Sequence, residues 1–143
     1  MNPESRISLI APCGIDCSIC ELYLCKDDKN LLDRLLSKGI PASVLPCKGC
    51  RNIDGNCPIM GKSCETYTCV QQKKHHYCFE CDDFPCKNLH PAADRADILP
   101  HNMKIFNLCE IKRIGATAFS EKSIENKKRY YMGKMVLGSG PVI

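Results

Sequence analysis

Residues 13–20 read Cys-Gly-Ile-Asp-Cys-Ser-Ile-Cys, a C-x3-C-x2-C spacing near the start of the chain. Three thiolates so spaced can hold an iron–sulfur cluster with one iron left open for chemistry. They can equally supply three of the four ligands of a closed zinc site. The rest of the sequence decides between these readings and ordinary disulfides.

The chain has 143 residues, the size of one domain or of one domain with a tail. Its core-forming residues are unevenly spread. From Cys47 to Asp97 there are six Leu, Ile, Val or Phe residues, against eight of the thirteen cysteines. So few apolar side chains do not offset about 1–2 kcal/mol of backbone entropy per ordered residue. Something bound to sulfur is therefore expected to hold this stretch. Disulfides are a poor candidate, because thirteen cysteines cannot all pair internally. The apolar run after the N-terminus, Ile7 to Ala11, is shorter than the roughly 7–15 residues of a secretory signal. No run approaches the roughly 20 residues of a membrane span. A cytoplasmic setting is expected, where thiols stay reduced and such spacings bind metal.

Local patterns predict an α-rich, irregular, metal-stapled domain with zinc-knuckle loops and little or no regular sheet. Residues 28–39 form the clearest helix: Asp27 or Asp28 caps it, Leu31, Leu32, Leu35 and Leu36 make one stripe, and Gly39 with Pro41 ends it. A shorter helix over Cys20–Cys25 would carry Ile19, Leu22 and Leu24 against that stripe. Between Pro46 and Cys86 glycines and prolines favour turns, with Asp82 or Asp83 as the start of a short helix. Residues 91–101 read as a linker. Asn102 opens a helix through Ile114, apolar on nearly every side and so expected to be well buried, with Gly115 as its stop. A third helix from about Ala116 to Tyr131 is mostly polar, anchored by Phe119 and Ile124. Gly133 to Ile143 reads as an extended strap. The boundaries expected are a cysteine-rich metal-binding part, 1–90, and a helical extension, 91–143, packed on it.

Three Cys-x-x-Cys pairs stand out: Cys17/Cys20, Cys47/Cys50 and Cys78/Cys81. Two intervening residues let both sulfurs turn to one ion while backbone amides bond back to them, and two such pairs close a tetrahedron. Cys13, Cys57, Cys64, Cys69 and Cys86 complete the candidate metal ligands. Pro12 and Gly14 favour a loop that bends Cys13 toward the ion. Cys109 reads as a buried, unligated thiol acting as a small hydrophobe, and Cys25 fits neither class. Among His75, His76, His90 and His101 surface positions are the rule, although His75 or His76, just before Cys78, is a candidate ligand. Glu80, Asp82 and Asp83 read as groups that solvate the Cys78/Cys81 turn and cap a helix.

Taken in order, Cys13-Gly-Ile-Asp-Cys17-Ser-Ile-Cys20, Cys47-Lys-Gly-Cys50, Cys64-Glu-Thr-Tyr-Thr-Cys69 and Cys78-Phe-Glu-Cys81-Asp-Asp-Phe-Pro-Cys86 resemble a family of cysteine-rich prokaryotic proteins, domain-of-unknown-function family 3795. The resemblance spans roughly residues 10–90, and residues 99–115 resemble an extension some members carry. It implies metal binding and a cytoplasmic setting, and it implies no established activity. Members often have a further Cys-x-x-Cys pair ending at Cys64. Gly61 occupies its first place here, with Cys57 as the candidate stand-in, so the grouping of ligands into sites stays open.

The favoured functional reading is a zinc-stapled binding or adaptor module holding two or three zinc ions, with an unknown protein partner. Closed four-thiolate zinc has no vacant position and no redox chemistry, so the reading leans away from an enzyme. The alternative is an iron–sulfur protein, redox or enzymatic, built on residues 13–20. Against it, the chain is too short for the large barrel of radical enzymes using S-adenosylmethionine, ten other cysteines compete for the metal, and the ferredoxin run C-x2-C-x2-C-x3-C-P is absent. The net charge of +4 is weak support for nucleic-acid binding, since each four-thiolate zinc adds about −2. Lys112–Lys134 carries seven Lys or Arg beside Tyr130 and Tyr131, yet such faces are commonly just solvated, and nucleic acid is not favoured. Thiol redox or metal delivery is a minor reading.

Overall fold

The structure, a computed structural model, describes residues 2–97 and 99–143. It is α-rich, with one small two-stranded sheet. A short helix α1 (Pro3–Ile7) is capped by Asn2, whose side chain accepts the Ser5 amide. The chain then folds the opening cysteine stretch into a loop and a single 3-10 turn over Cys17–Ile19. Helix α2 (Glu21–Leu24) leads to α3 (Lys29–Ser37). Asp28 caps α3 by accepting the Leu31 amide at 3.0 Å, and Gly39, at φ +86, ends it as expected. Leu31 and Leu35 are buried with Leu22 and Cys25 in a small cluster of their own. That places Cys25: its thiol is withdrawn from water and donates to the Leu22 carbonyl at 3.3 Å.

The middle of the chain is turns around one regular element, α4 (Glu65–Gln72). The short helix expected from Asp82 or Asp83 starts later: the 3-10 turn is Lys87–Leu89, with Cys86 at its head. Ile98, within the stretch read as a linker, lies outside the described residues. A turn over Pro100–Met103 feeds α5 (Lys104–Ile114), and Gly115, at φ +83, stops it.

Three expectations for this region are corrected. Helix α5 is not buried all round. It buries Met103, just ahead of it, with Lys104, Asn107, Leu108 and Ile111, while Phe106 and Cys109 face water. Cys109 is thus an exposed thiol and no part of the core. The third helix is two, α6 (Ala116–Glu121) and α7 (Ser123–Met132), broken at Lys122. Phe119 anchors it at 1 % exposure, but Ile124 is 72 % exposed and Asn126 takes the buried place. The tail is paired with itself: β1 (Lys134–Val136) and β2 (Gly140–Val142) form an antiparallel hairpin.

The main core draws on both ends of the sequence. Ile10, Ala11 and Cys13 pack with Val70, Tyr77, Cys78 and Leu89, and Leu108, Ile111 and Phe119 close over them. Gly14 sits at the tightest point. Its φ is +88, and a Cβ there would lie 2.8 Å from both Leu108 Cγ and the Lys104 carbonyl oxygen. Only glycine fits both constraints.

Leu108 is fully buried in this contact, so Leu108→Ala should cost about 2–5 kcal/mol. Cys109→Ala, one residue on and facing solvent, should stay within about 0.5 kcal/mol of the parent. Thermal or denaturant midpoints of the two variants side by side check this pair.

Candidate metal centre

The opening loop is held from inside. Ala11 donates its amide to the Ile15 carbonyl at 2.8 Å, and Cys17 donates its own to Leu9 at 2.8 Å. Asp16 is buried and accepts the Ser18 amide at 2.9 Å together with the hydroxyls of Ser18 and Ser123. Three donors on one carboxylate fix the turn that presents Cys17 and Cys20, and Ser123 ties that turn to α7. Asp16 is therefore a positioning group. Its signal in the sequence is an Asp two residues ahead of a Ser at a turn start.

Seven of the candidate thiols gather around this turn. The Cys50 amide points at Cys17 Sγ, 3.4 Å away, and the Gly49 amide points at Cys47 Sγ, 3.5 Å away. These amide-to-sulfur contacts are what a Cys-x-x-Cys turn offers a thiolate, and the first crosses from one pair to the other. Cys57 lies within electrostatic reach of Cys20, Cys47 and Cys50. Cys64 lies within reach of Cys13 and Cys50. Both reach the group because Cys57 and Cys64 hydrogen-bond to one carbonyl, that of Gly55, at 2.9 Å each.

The other four candidates form a second neighbourhood, joined to the first where Cys13 packs beside Cys78. Cys69 on α4, Cys78 and Cys81 on a 3-10 turn, and Cys86 line one small cavity of about 170 Å3. His75 reaches its edge, whereas His76 and His90 are exposed. Lys73 donates to Cys81 Sγ at 2.9 Å and to Asp83 at 2.7 Å. Glu80 accepts the amides of His76 at 3.0 Å and Tyr77 at 3.2 Å, which makes it a cap for the Cys78 turn. Every one of the thirteen cysteines is a free thiol. As the side chains stand, no three His, Cys, Asp or Glu groups among the described residues converge tightly enough on one point to hold an ion.

Two residues that the sequence reading did not single out join these neighbourhoods. Arg51, next to Cys50, donates to the Ile10 carbonyl and the His76 carbonyl at 2.7 Å each and lies over the Tyr77 ring at 4.9 Å. It bolts the first neighbourhood to the second. Lys104 is 6 % exposed, and no described residue forms an ion pair with it. Its charge acts on Cys13 and Cys78, one thiol from each neighbourhood. A buried ammonium is costly without negative charge nearby, and the groups within its reach that could supply it on ionising are these two thiols. Nothing in an apolar helix pattern flags such a lysine.

Burial dominates the acidity of the thiols. It pushes Cys50 and Cys78 up to about 12 from an ordinary 9.0, and it raises Cys13, Cys17, Cys20 and Cys47 as well. At Cys13 and Cys78 the nearby Lys104 charge opposes that rise.

Neither the curated proteins nor the solved structures give a match to the chain. A family model described as "Protein of unknown function (DUF3795)" matches residues 9–91. That span contains all eleven candidate thiols and leaves out Cys109 and the helices that roof them. The chain belongs to the DUF3795 family.

Proposed function

We propose that this protein is a cytoplasmic, zinc-stapled binding module. Cys69, Cys78, Cys81 and Cys86 would hold one zinc ion. Cys13, Cys17, Cys20, Cys47, Cys50, Cys57 and Cys64 would hold one or two more. The observation that carries this reading is the small cavity lined by four free cysteines: Cys69 from α4, Cys78 and Cys81 from one turn, and Cys86. Four sulfurs with no disulfide among them match the donor set of a closed structural zinc. Bound there, zinc would supply cross-links between turns, worth about 10–16 kcal/mol of apparent binding free energy per site. That is ample for a stretch as poor in apolar residues as Cys47–Asp97. A binding role for the rest of the molecule is supported by the apolar side chains held in water at the C-terminal hairpin, with Leu137 94 % and Met135 73 % exposed. No helix among the described residues is long and apolar enough to cross a membrane.

The test is the metal content of protein purified aerobically and, separately, without oxygen. At least two zinc ions per chain are expected, with sulfur dominating their X-ray absorption. Cys78→Ser and Cys81→Ser should each lose an ion and unfold the segment from about Cys47 to Leu89, while Cys109→Ala keeps the full complement. A brown, iron-bearing protein from anaerobic cells would replace zinc with an iron–sulfur cluster. Metal-free protein with oxidised thiols would end the reading.

The dependence on pH has opposite signs with and without metal. Raised thiols stabilise the metal-free fold while they keep their protons, a contribution present below pH 9 and lost as pH rises toward 12. Zinc requires thiolates, so loading must release close to one proton per ligand at pH 7, about four for a closed site. The melting midpoint of metal-free protein should fall above pH 9, and that of the loaded protein should fall on acidification. Calorimetry in buffers of different ionisation enthalpy counts the protons.

Nucleic acid is not expected to bind tightly. Of the basic residues in 112–134, Arg113 and Lys122 pair with Glu110, and Arg129 pairs with Glu125. Tyr130 spends its hydroxyl on the Ala96 and Leu99 carbonyls and its ring edge on Tyr131. Titration with single- and double-stranded probes at physiological salt should show only weak, salt-labile association.

A further inference from the structure

The C-terminal part forms a second, half-open cavity with no candidate thiol in its lining. It lies between the Pro100–Met103 turn, α5, α7 and the hairpin, with a volume of about 520 Å3. That is within the roughly 300–1,000 Å3 of small-molecule sites. Met103, Phe106, Met135 and Pro141 make its apolar walls.

The polar groups on the cavity divide into spent and unspent. Asn102 exchanges both of its amide bonds with the backbone of Ala92, at 3.0 and 3.1 Å. The Tyr130 hydroxyl is taken by two carbonyls. These bonds stiffen the walls and leave nothing for a guest. Asn126 is different: it is 7 % exposed, it lines the cavity, and no described residue hydrogen-bonds its carboxamide. That carboxamide is not sealed off, for the one buried side-chain polar atom without a partner among the described residues is Asn107 Oδ1; the Asn126 amide opens to the cavity and can serve a guest there. One turn further on, Arg129 lines the same cavity. One of its terminal nitrogens meets Glu125 at 2.6 Å, in a pair whose side chains are 47 % and 50 % exposed. Such a surface pair is worth little, and the rest of the planar fork stays available.

We propose that this cavity binds a small monocarboxylic acid with an apolar body. The carboxylate would take the Arg129 fork, Asn126 would donate to the same carboxylate, and the hydrocarbon would lie against Met103, Phe106 and Met135. A single guanidinium favours one negative charge over the two of a phosphate ester, and its planar fork matches a carboxylate. All the lining residues follow residue 100, so the proposal does not rest on the zinc reading.

The test uses the whole chain as purified and three probes of the same nine-carbon skeleton: 3-phenylpropionate, the neutral 3-phenylpropanol, and 3-phenylpropyl phosphate. Amide chemical shifts followed by titration should move for residues 102–106, 126–130 and 133–141, with the carboxylate binding at least tenfold tighter than the alcohol. Arg129→Gln, at a half-exposed position that leaves the fold intact, should weaken the carboxylate at least tenfold and leave the alcohol unchanged. Asn126→Ala should weaken it by a similar factor, and Lys128→Gln, a neighbour that does not line the cavity, should change nothing. Shifts elsewhere, equal binding of acid and alcohol, preference for the phosphate, or an unaffected Arg129→Gln would each overturn the assignment. No saturable shift with any probe would overturn it too.

Discussion

Sulfur removed from water must be neutral or must have positive charge beside it, and this fold is organised around that constraint. Eleven candidate thiols are buried or half-buried in free form. Burial alone keeps Cys50 and Cys78 protonated. The packing also provides for the ionised state: amides of Gly49 and Cys50 point at sulfur, Lys73 reaches Cys81, and Lys104 sits within reach of Cys13 and Cys78. An ammonium 6 % exposed with no carboxylate partner among the described residues is costly in an apolar core. Beside a four-thiolate zinc of charge about −2, the same ammonium becomes an offsetting charge.

The two halves of the chain are tied together by contacts that hydropathy does not advertise. Gly14 lets α5 approach the opening loop, Asn107 donates to the Gly14 carbonyl at 2.8 Å, and Ser123 reaches Asp16 from α7. Arg51 then fastens the opening loop to the turn before Cys78. The result is one core in which the family-matched stretch supplies sulfur and the helices beyond it supply apolar cover.

What could be read in the sequence was whatever has a local cause. Asp28 and Gly39 bound α3 because a cap and a left-handed stop act within one turn of chain. Cys17/Cys20 and Cys78/Cys81 form tight turns for the same reason. Which face of a helix meets the protein is settled at a distance, and there the reading failed. Helix α5 has apolar residues all round, so its pattern could not say that Lys104 and Asn107 would go inside and Phe106 and Cys109 outside. On α7 Ile124 was the natural anchor by hydropathy, but Asn126, seven residues after the buried Phe119, takes the inward place instead. For the centre, spacing identified the thiols as a class. Their division into a group of seven and a group of four depends on the Gly55 carbonyl and on α4, and it becomes visible only in three dimensions.

The order of these parts along the chain has its own consequence. Every candidate thiol precedes residue 87, whereas Leu108, Ile111 and Phe119, which close over Cys13 and Cys78, come later. During synthesis from the N-terminus the sulfurs therefore emerge before their roof exists. For that interval they are open to oxidants and to each other, at a stage when mispairing would be locked in. On the zinc reading, capture of metal by the nascent chain guards the thiols first, and the late helices seal a centre that is already filled.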